Sequence, residues 1–139
     1  MDISRILLAA LASSVVWFIA GSILYMNPWV SKIYEKARNL PGMKKWSSNG
    51  KFLINMFFMG MLFQCLLFAL VYSLIKPVLP GTVPLNTAFF GLIMIALKIF
   101  PRWADMWLLT SYPDKLLITE FINGSIGAFI VAYILVLVI

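Results

Sequence analysis

Four polar side chains fall inside hydrophobic runs and could do chemistry there: Glu120, Asn123, Gln64 and Lys98. An ionisable group within a membrane-spanning helix is costly, so it is generally paired or functional. Glu120 and Lys98 could form an ion pair between antiparallel neighbouring helices, which would be a structural role. Glu120 could instead form a proton or cation site lined by Asn123 and Gln64, which would be a transport role. The sequence leaves both hypotheses open.

Residue types that serve other kinds of chemistry are scarce. The chain has no histidine and a single cysteine, Cys65. Missing histidine removes the commonest metal ligand and the usual haem ligand, and one cysteine excludes a disulfide or thiolate cluster within one chain. A nucleophile–base pair cannot be assembled without histidine or a second buried acid. We therefore expect no enzyme activity, no catalytic residue, no metal and no cofactor.

The composition predicts the elements that must position these side chains. The 139 residues are 63% hydrophobic and 12% charged, whereas average soluble domains are roughly 45–50% and about 25%. The hydrophobic residues form long runs, which is typical of membrane helices. We predict an all-α fold in one domain, an integral membrane four-helix bundle with two short interfacial amphipathic helices. The spans are predicted at about 6–26, 53–75, 85–100 and 116–139, and the interfacial helices at about 28–39 and 102–110.

Two boundaries carry particular expectations. We interpret 6–26 as a retained span and not as a signal peptide, because its head carries both Asp2 and Arg5 and most positive charge follows it. Pro101 is expected to close the third span, because the residue before a proline disfavours helix. That boundary places Lys98 close to a helix end, from which it can extend outward.

Small residues predict where the helices pack. In the last span Glu120, Gly124, Ala128 and Ala132 recur every four residues, which puts them on one helical stripe. Such small-xxx-small patterns let membrane helices approach closely. The predicted helix-packing residues are Gly124, Gly127, Ala128, Ala132, Gly21 and Gly60.

The basic residues predict the orientation. The net charge is +6, and nine of the eleven Lys and Arg residues lie beside two of the three inter-span segments. The positive-inside rule then puts both termini outside the cytoplasm, in a bacterial inner membrane. We expect anionic lipid headgroups, and not nucleic acid, at these basic loops. The predicted membrane-interface residues are Trp29, Lys32, Lys36, Arg38, Trp46, Arg102, Trp103 and Trp107.

Short motifs give a resemblance to a family. The first span ends in Gly21-Ser22-Ile23-Leu24-Tyr25, followed by Asn27-Pro28-Trp29 and a basic amphipathic segment. Later come Gly91, Asn123-Gly124 and Ile126-Gly127-Ala128. In this layout the chain resembles an uncharacterised family of small four-span bacterial membrane proteins, a domain of unknown function. Trp103 and Trp107 have no counterpart in that pattern. The resemblance implies a four-helix membrane fold and no activity.

Three functional classes remain. The leading prediction is a small non-catalytic membrane protein that associates with itself or with other membrane subunits, as an accessory or structural component. The alternative is a small oligomeric transporter or channel that uses Glu120, Asn123 and Gln64. The third, which ranks lowest, is a membrane enzyme that handles a lipid or quinone in an aromatic groove, since the chain has eleven Phe, five Tyr and five Trp.

Overall fold

The computed structural model describes residues 2–139, which form five helices and, over that range, no β-strand. Four of the helices are long and apolar enough to cross a membrane. They have 24, 30, 27 and 25 residues, and the fifth helix is short. The helices are α1 (Ile3–Met26), α2 (Pro28–Ala37), α3 (Asn49–Val78), α4 (Val83–Leu109) and α5 (Asp114–Val138). The predicted all-α class is confirmed.

The last helix, α5, is the centre of the bundle. It packs against α1 on one side and α4 on the other, while α3 packs mainly against α1. Consecutive long helices are antiparallel, so the bundle has two ends. We call the end that carries Asp2, Lys76 and Ile139, which line one cavity, the termini end. The opposite end, where α2 lies between α1 and α3 in the chain, is the α2 end.

Small residues let α5 approach both neighbours, as the stripe predicts. A Cβ at Gly127 would lie 2.7 Å from Trp17 Nε1 on α1, and one at Gly124 would lie 3.1 Å from Ile99 Cδ1 on α4. Ala128 and Ala132 are buried in the core. These contacts depend on glycine at both positions, because a close-packed interior has no spare volume for an added methyl group.

The other two predicted packing glycines differ from each other. A Cβ at Gly21 would meet Met61 of α3 at 3.5 Å, which is ordinary contact between helices. At Gly60, a Cβ would meet Met56 of the same helix at 3.7 Å and no atom of another helix within 4 Å among residues 2–139. The tightest position is Gly91 on α4, where a Cβ would overlap the Phe129 ring of α5.

The boundary expected at Pro101 is wrong, because α4 continues through it to Leu109. Residues Ile95–Ile99, directly before Pro101, form a π-helical turn. A wide turn changes the hydrogen-bond ladder at the place where a proline lacks its N–H and crowds the carbonyl four residues earlier. The segment predicted as a separate interfacial helix is therefore the last part of α4, and Lys98 lies well inside that helix.

Hydroxyl groups within the long helices bond to their own backbone. Ser14 donates to the Leu11 carbonyl at 2.8 Å, Ser22 to Phe18 at 2.9 Å and Ser125 to Phe121 at 2.8 Å. A polar group that is satisfied within its own helix can be placed in an apolar environment without a partner from another helix. These serines consequently carry no signal of a binding site.

Candidate functional site

Glu120 is the centre of a polar cluster at the α2 end. Its carboxylate Oε1 accepts a hydrogen bond from the Tyr34 hydroxyl of α2. Its Oε2 lies 3.9 Å from Arg102 Nη2 of α4, and the Glu120 side chain is 26% exposed. Hydrogen bonds to an ionised acceptor are roughly twice as strong as neutral ones. One carboxylate thus joins α2, α4 and α5.

A corner at Asn27 brings Tyr34 to this carboxylate. The Asn27 side chain accepts from the Val30 N–H at 3.0 Å and so caps α2, as the Asn27-Pro28 pair predicts. Its amide also donates to the Leu24 carbonyl at 2.5 Å, near the end of α1. One side chain therefore satisfies an unpaired carbonyl of α1 and an unpaired N–H of α2. These two hydrogen bonds fix the corner between α1 and α2 and direct α2 back over α5.

The environment of Tyr34 favours its neutral form. Burial and the adjacent Glu120 carboxylate, which accepts its hydrogen bond, raise the pKa of the Tyr34 phenol above its usual range. The Tyr25 ring packs edge-on against Tyr34, with 5.6 Å between the centroids. Tyr34 therefore donates a hydrogen bond to the Glu120 carboxylate as a neutral phenol.

The predicted ion pair between Lys98 and Glu120 is not formed. Among residues 2–139, Arg102 is the cationic partner of Glu120. The reason is register: Ile99 lies against Gly124 of α5, so Lys98 is about one helical turn deeper than Glu120. The Lys98 ammonium instead lies over the Trp17 ring, 4.4 Å from its centroid, and 5.2 Å from the Phe68 centroid.

The three side chains proposed for a transport path are not brought together. Asn123 is buried and its amide lies 3.5 Å from the Leu24 carbonyl, where it faces α1. Gln64 lies in a cleft between α3 and α4, beside Lys98. Trp17 stands between these regions, since it contacts Gly127 of α5 with one edge and Lys98 with its face. Arg102, which contacts Glu120, also lines the cleft that contains Gln64, so the two regions are linked through Arg102 and not by direct contact of the three proposed side chains.

The predicted interface residues all lie on α2, on the segment that follows it, or on the second half of α4. Trp29 is 84% exposed and Trp107 is 57% exposed, while Trp103 is partly covered by Phe121 at 5.8 Å between ring centroids. Trp103 and Trp107 stack on each other at 6.4 Å. Lys32, Lys36, Arg38, Trp46 and Arg102 are exposed.

Sequence reasoning missed Tyr34 and Trp17 as parts of these sites. Tyr34 lies on the apolar face of α2, and its hydroxyl needs a partner wherever that face is buried. Glu120 is the carboxylate placed within the last long apolar run, so the two could have been matched. No sequence signal identifies Trp17, because its role depends on the crossing of α1 and α5.

Comparison of the chain with protein-family models, with curated protein sequences and with solved structures gave no match. Among residues 2–139 there is also no group of three or more His, Cys, Asp or Glu side chains that could hold a metal ion.

Proposed function

We propose that the chain is a non-catalytic integral membrane protein that acts by association, as an accessory subunit of a membrane complex or as a homo-oligomer. The observation that supports this function best is the engagement of Glu120. Its Oε1 accepts from Tyr34 and its Oε2 lies 3.9 Å from Arg102 Nη2, so the side chain links three helices. In this proposal the acid positions α2 and does not serve as an ion site.

The proposed orientation follows from charge. The α2 end carries most of the basic residues, whereas the termini end carries Arg5 and Lys76. In a bacterial inner membrane the α2 end would face the cytoplasm and both termini would face outward. The exposed Lys32, Lys36 and Arg38 would then meet anionic headgroups, as the amphipathic pattern of α2 predicts.

Association would use the surface that α2 presents once Glu120 has fixed it. The outward side of α2 combines the exposed Trp29 with Lys32 and Lys36. Tryptophan is enriched in interfaces between proteins, whereas lysine is depleted there and suits anionic headgroups or an acidic partner. A partner subunit with an acidic segment at the membrane surface would fit this side of α2.

Native mass spectrometry tests this proposal on protein released gently from its own membrane. We expect additional subunits or a defined homo-oligomer. The informative variant is Tyr34→Phe, which releases α2 from Glu120 and should lower the fraction of assembled protein. Tyr133→Phe is the matched control, since Tyr133 is exposed on α5 far from α2. A monomer in both the native protein and the variants would overturn the proposal.

A further inference from the structure

A lateral cleft lies between the middle of α3 and the second half of α4. Nearer the termini end the side chains of the two helices are in contact, with the Tyr72 and Phe90 rings 5.1 Å apart. The cleft is open and has a volume of about 430 Å³, within the roughly 300–1,000 Å³ of ordinary ligand pockets. Its lining consists of Gln64, Leu67 and Phe68 on α3 and Leu97, Lys98 and Arg102 on α4.

Lys98 brings a positive charge into this cleft without a counter-ion. The two ion pairs among residues 2–139 are Arg5–Asp2 and Arg102–Glu120, so Lys98 has no carboxylate partner there. The rings of Trp17 and Phe68 attract its ammonium through their faces. Aromatic faces offset only part of the loss of water, and buried charges in proteins are therefore normally paired.

Arg102 adds a second cation one turn further towards the α2 end. Its contact with Glu120 at 3.9 Å uses one nitrogen, and its side chain is 65% exposed. A guanidinium has five N–H donors in a planar fork. Donors therefore remain for a second anion in the cleft, and Lys98 and Arg102 are four residues apart, on the same side of α4.

Gln64 contributes a second, independent sign of a missing ligand. Its Oε1 atom is buried and has no hydrogen-bond partner among residues 2–139. The large majority of buried side-chain polar atoms do have a partner, so each exception calls for an explanation. A ligand with a hydroxyl group beside its anionic group would satisfy Gln64 and Lys98 together.

The walls of the cleft are apolar and face outward. Leu67 is 46% exposed and Leu97 is 76% exposed, each beside a cationic or amide group. An acyl chain can lie on Leu67, Phe68 and Leu97 while its headgroup reaches the polar part of the cleft. A zwitterionic headgroup would bring its own cation towards Lys98 and Arg102, which favours lipids of net negative charge.

We propose that this cleft binds one phospholipid with an anionic, hydroxyl-bearing headgroup. Lys98 and Arg102 bind the phosphate, Gln64 accepts from a headgroup hydroxyl, and an acyl chain covers Leu67 and Leu97. This site is distinct from the basic surface of α2 and does not rest on the proposed association, because a monomer would bind the lipid equally well.

Lipid retention in native mass spectrometry and thermal stabilisation test the site, with phosphatidylglycerol added to protein in zwitterionic nanodiscs. We expect one phosphatidylglycerol per chain and no comparable retention of phosphatidylcholine with the same acyl chains. Removing a charge-assisted contact with Lys98→Met should weaken binding about tenfold or more. The charge-preserving Lys98→Arg should restore most of it.

Lys115→Gln is the matched control, because it removes one exposed positive charge at the same end of the bundle without altering the cleft. It should leave retention within about twofold. Leu67→Trp fills the cleft without a change in charge and should also abolish retention, so the test does not depend on the stability of Lys98→Met.

Three outcomes would overturn the proposal. Equal retention of phosphatidylglycerol by the native protein and Lys98→Met would show that Lys98 does not bind the lipid. Equal retention of phosphatidylcholine would show a general lipid surface. Stabilisation by inorganic phosphate to the same extent as by phosphatidylglycerol would assign the site to a soluble anion instead of a lipid.

Discussion

The two ends of the bundle satisfy their polar groups in different ways. At the termini end, buried Asn86 accepts from the Gly81 N–H at 3.0 Å, and its amide lies 3.5 Å from the Tyr72 hydroxyl of α3. Towards the α2 end, Lys98 and Gln64 line the cleft between α3 and α4. Among residues 2–139, Lys98 has no carboxylate partner and Gln64 Oε1 has no hydrogen-bond donor. Thr87 Oγ1, next to Asn86, is also buried without a partner. The difference between the two ends is therefore the charge of Lys98, which lacks a counter-ion among residues 2–139 and leaves capacity for an anionic ligand.

The contacts between α4 and α5 also differ between the two ends. Towards the termini end, Gly91 allows the Phe129 ring to lie directly against the α4 backbone. Towards the α2 end, Gly124 faces Ile99, whose flexible side chain is the nearest obstacle at 3.1 Å. Backbone-to-ring contact cannot relax as readily as contact with the tip of an aliphatic side chain. Added volume should therefore be tolerated less well at Gly91 than at Gly124.

The largest expected effect comes from Gly91→Ala compared with Gly124→Ala. The methyl group at Gly91 overlaps the Phe129 ring, and such overpacking costs about 1–3 kcal/mol of unfolding free energy. At Gly124, Ile99 can move, and the better helix propensity of alanine, roughly 0.5–1 kcal/mol, offsets the crowding. Unfolding in mixed micelles measures both. Equal losses of unfolding free energy at the two positions would contradict the difference in packing between the two ends of the α4–α5 contact.

A double-mutant cycle at Glu120 should give an intermediate effect. Tyr34→Phe and Glu120→Gln each remove the same charge-assisted bond, so each should cost about 1 kcal/mol, with a coupling of roughly 0.5 kcal/mol or more. Lys98→Met combined with Glu120→Gln should show a smaller coupling, because these two side chains are not in contact and are linked only through Arg102. A larger coupling in the second pair than in the first would contradict this assignment of partners.

The smallest expected effect is a dependence of stability on alkaline pH. Because the pKa of Tyr34 is raised on folding, the neutral phenol stabilises the native state fully below the unfolded pKa of about 10. This stabilisation is lost as the pH rises above that value towards the folded pKa. The difference in unfolding free energy between the native protein and Tyr34→Phe should therefore shrink above about pH 10. A constant difference would show that Tyr34 is not perturbed.

Much of the fold could be predicted because hydrophobic runs and helix caps are local signals. The four long helices and the cap at Asn27 followed from composition and from short motifs. The path of α4 through Pro101 could not be predicted, because the π-helical turn before it depends on packing against α5. The expectation that a proline ends a helix considers only the local sequence, whereas packing against neighbouring helices also determines whether the helix continues.

The candidate site was predictable in part. The small residues of α5 identified its contacts with α1 and α4, because a stripe of small residues lets neighbouring helices approach closely. The partner of Glu120 was not predictable, because the choice between Lys98 and Arg102 depends on the register of α4 against α5. A shift of one turn exchanges one basic residue for the other, and hydropathy does not determine such a shift.

Cation flux into proteoliposomes most directly tests the claim that Glu120 positions α2 and carries no ion. We expect the native protein, Glu120→Gln and the control Asp114→Asn to give the same flux as empty liposomes, while Glu120→Gln alone is less stable. Flux through the native protein that disappears in Glu120→Gln but persists in Asp114→Asn would contradict this claim and make Glu120 part of a transport path.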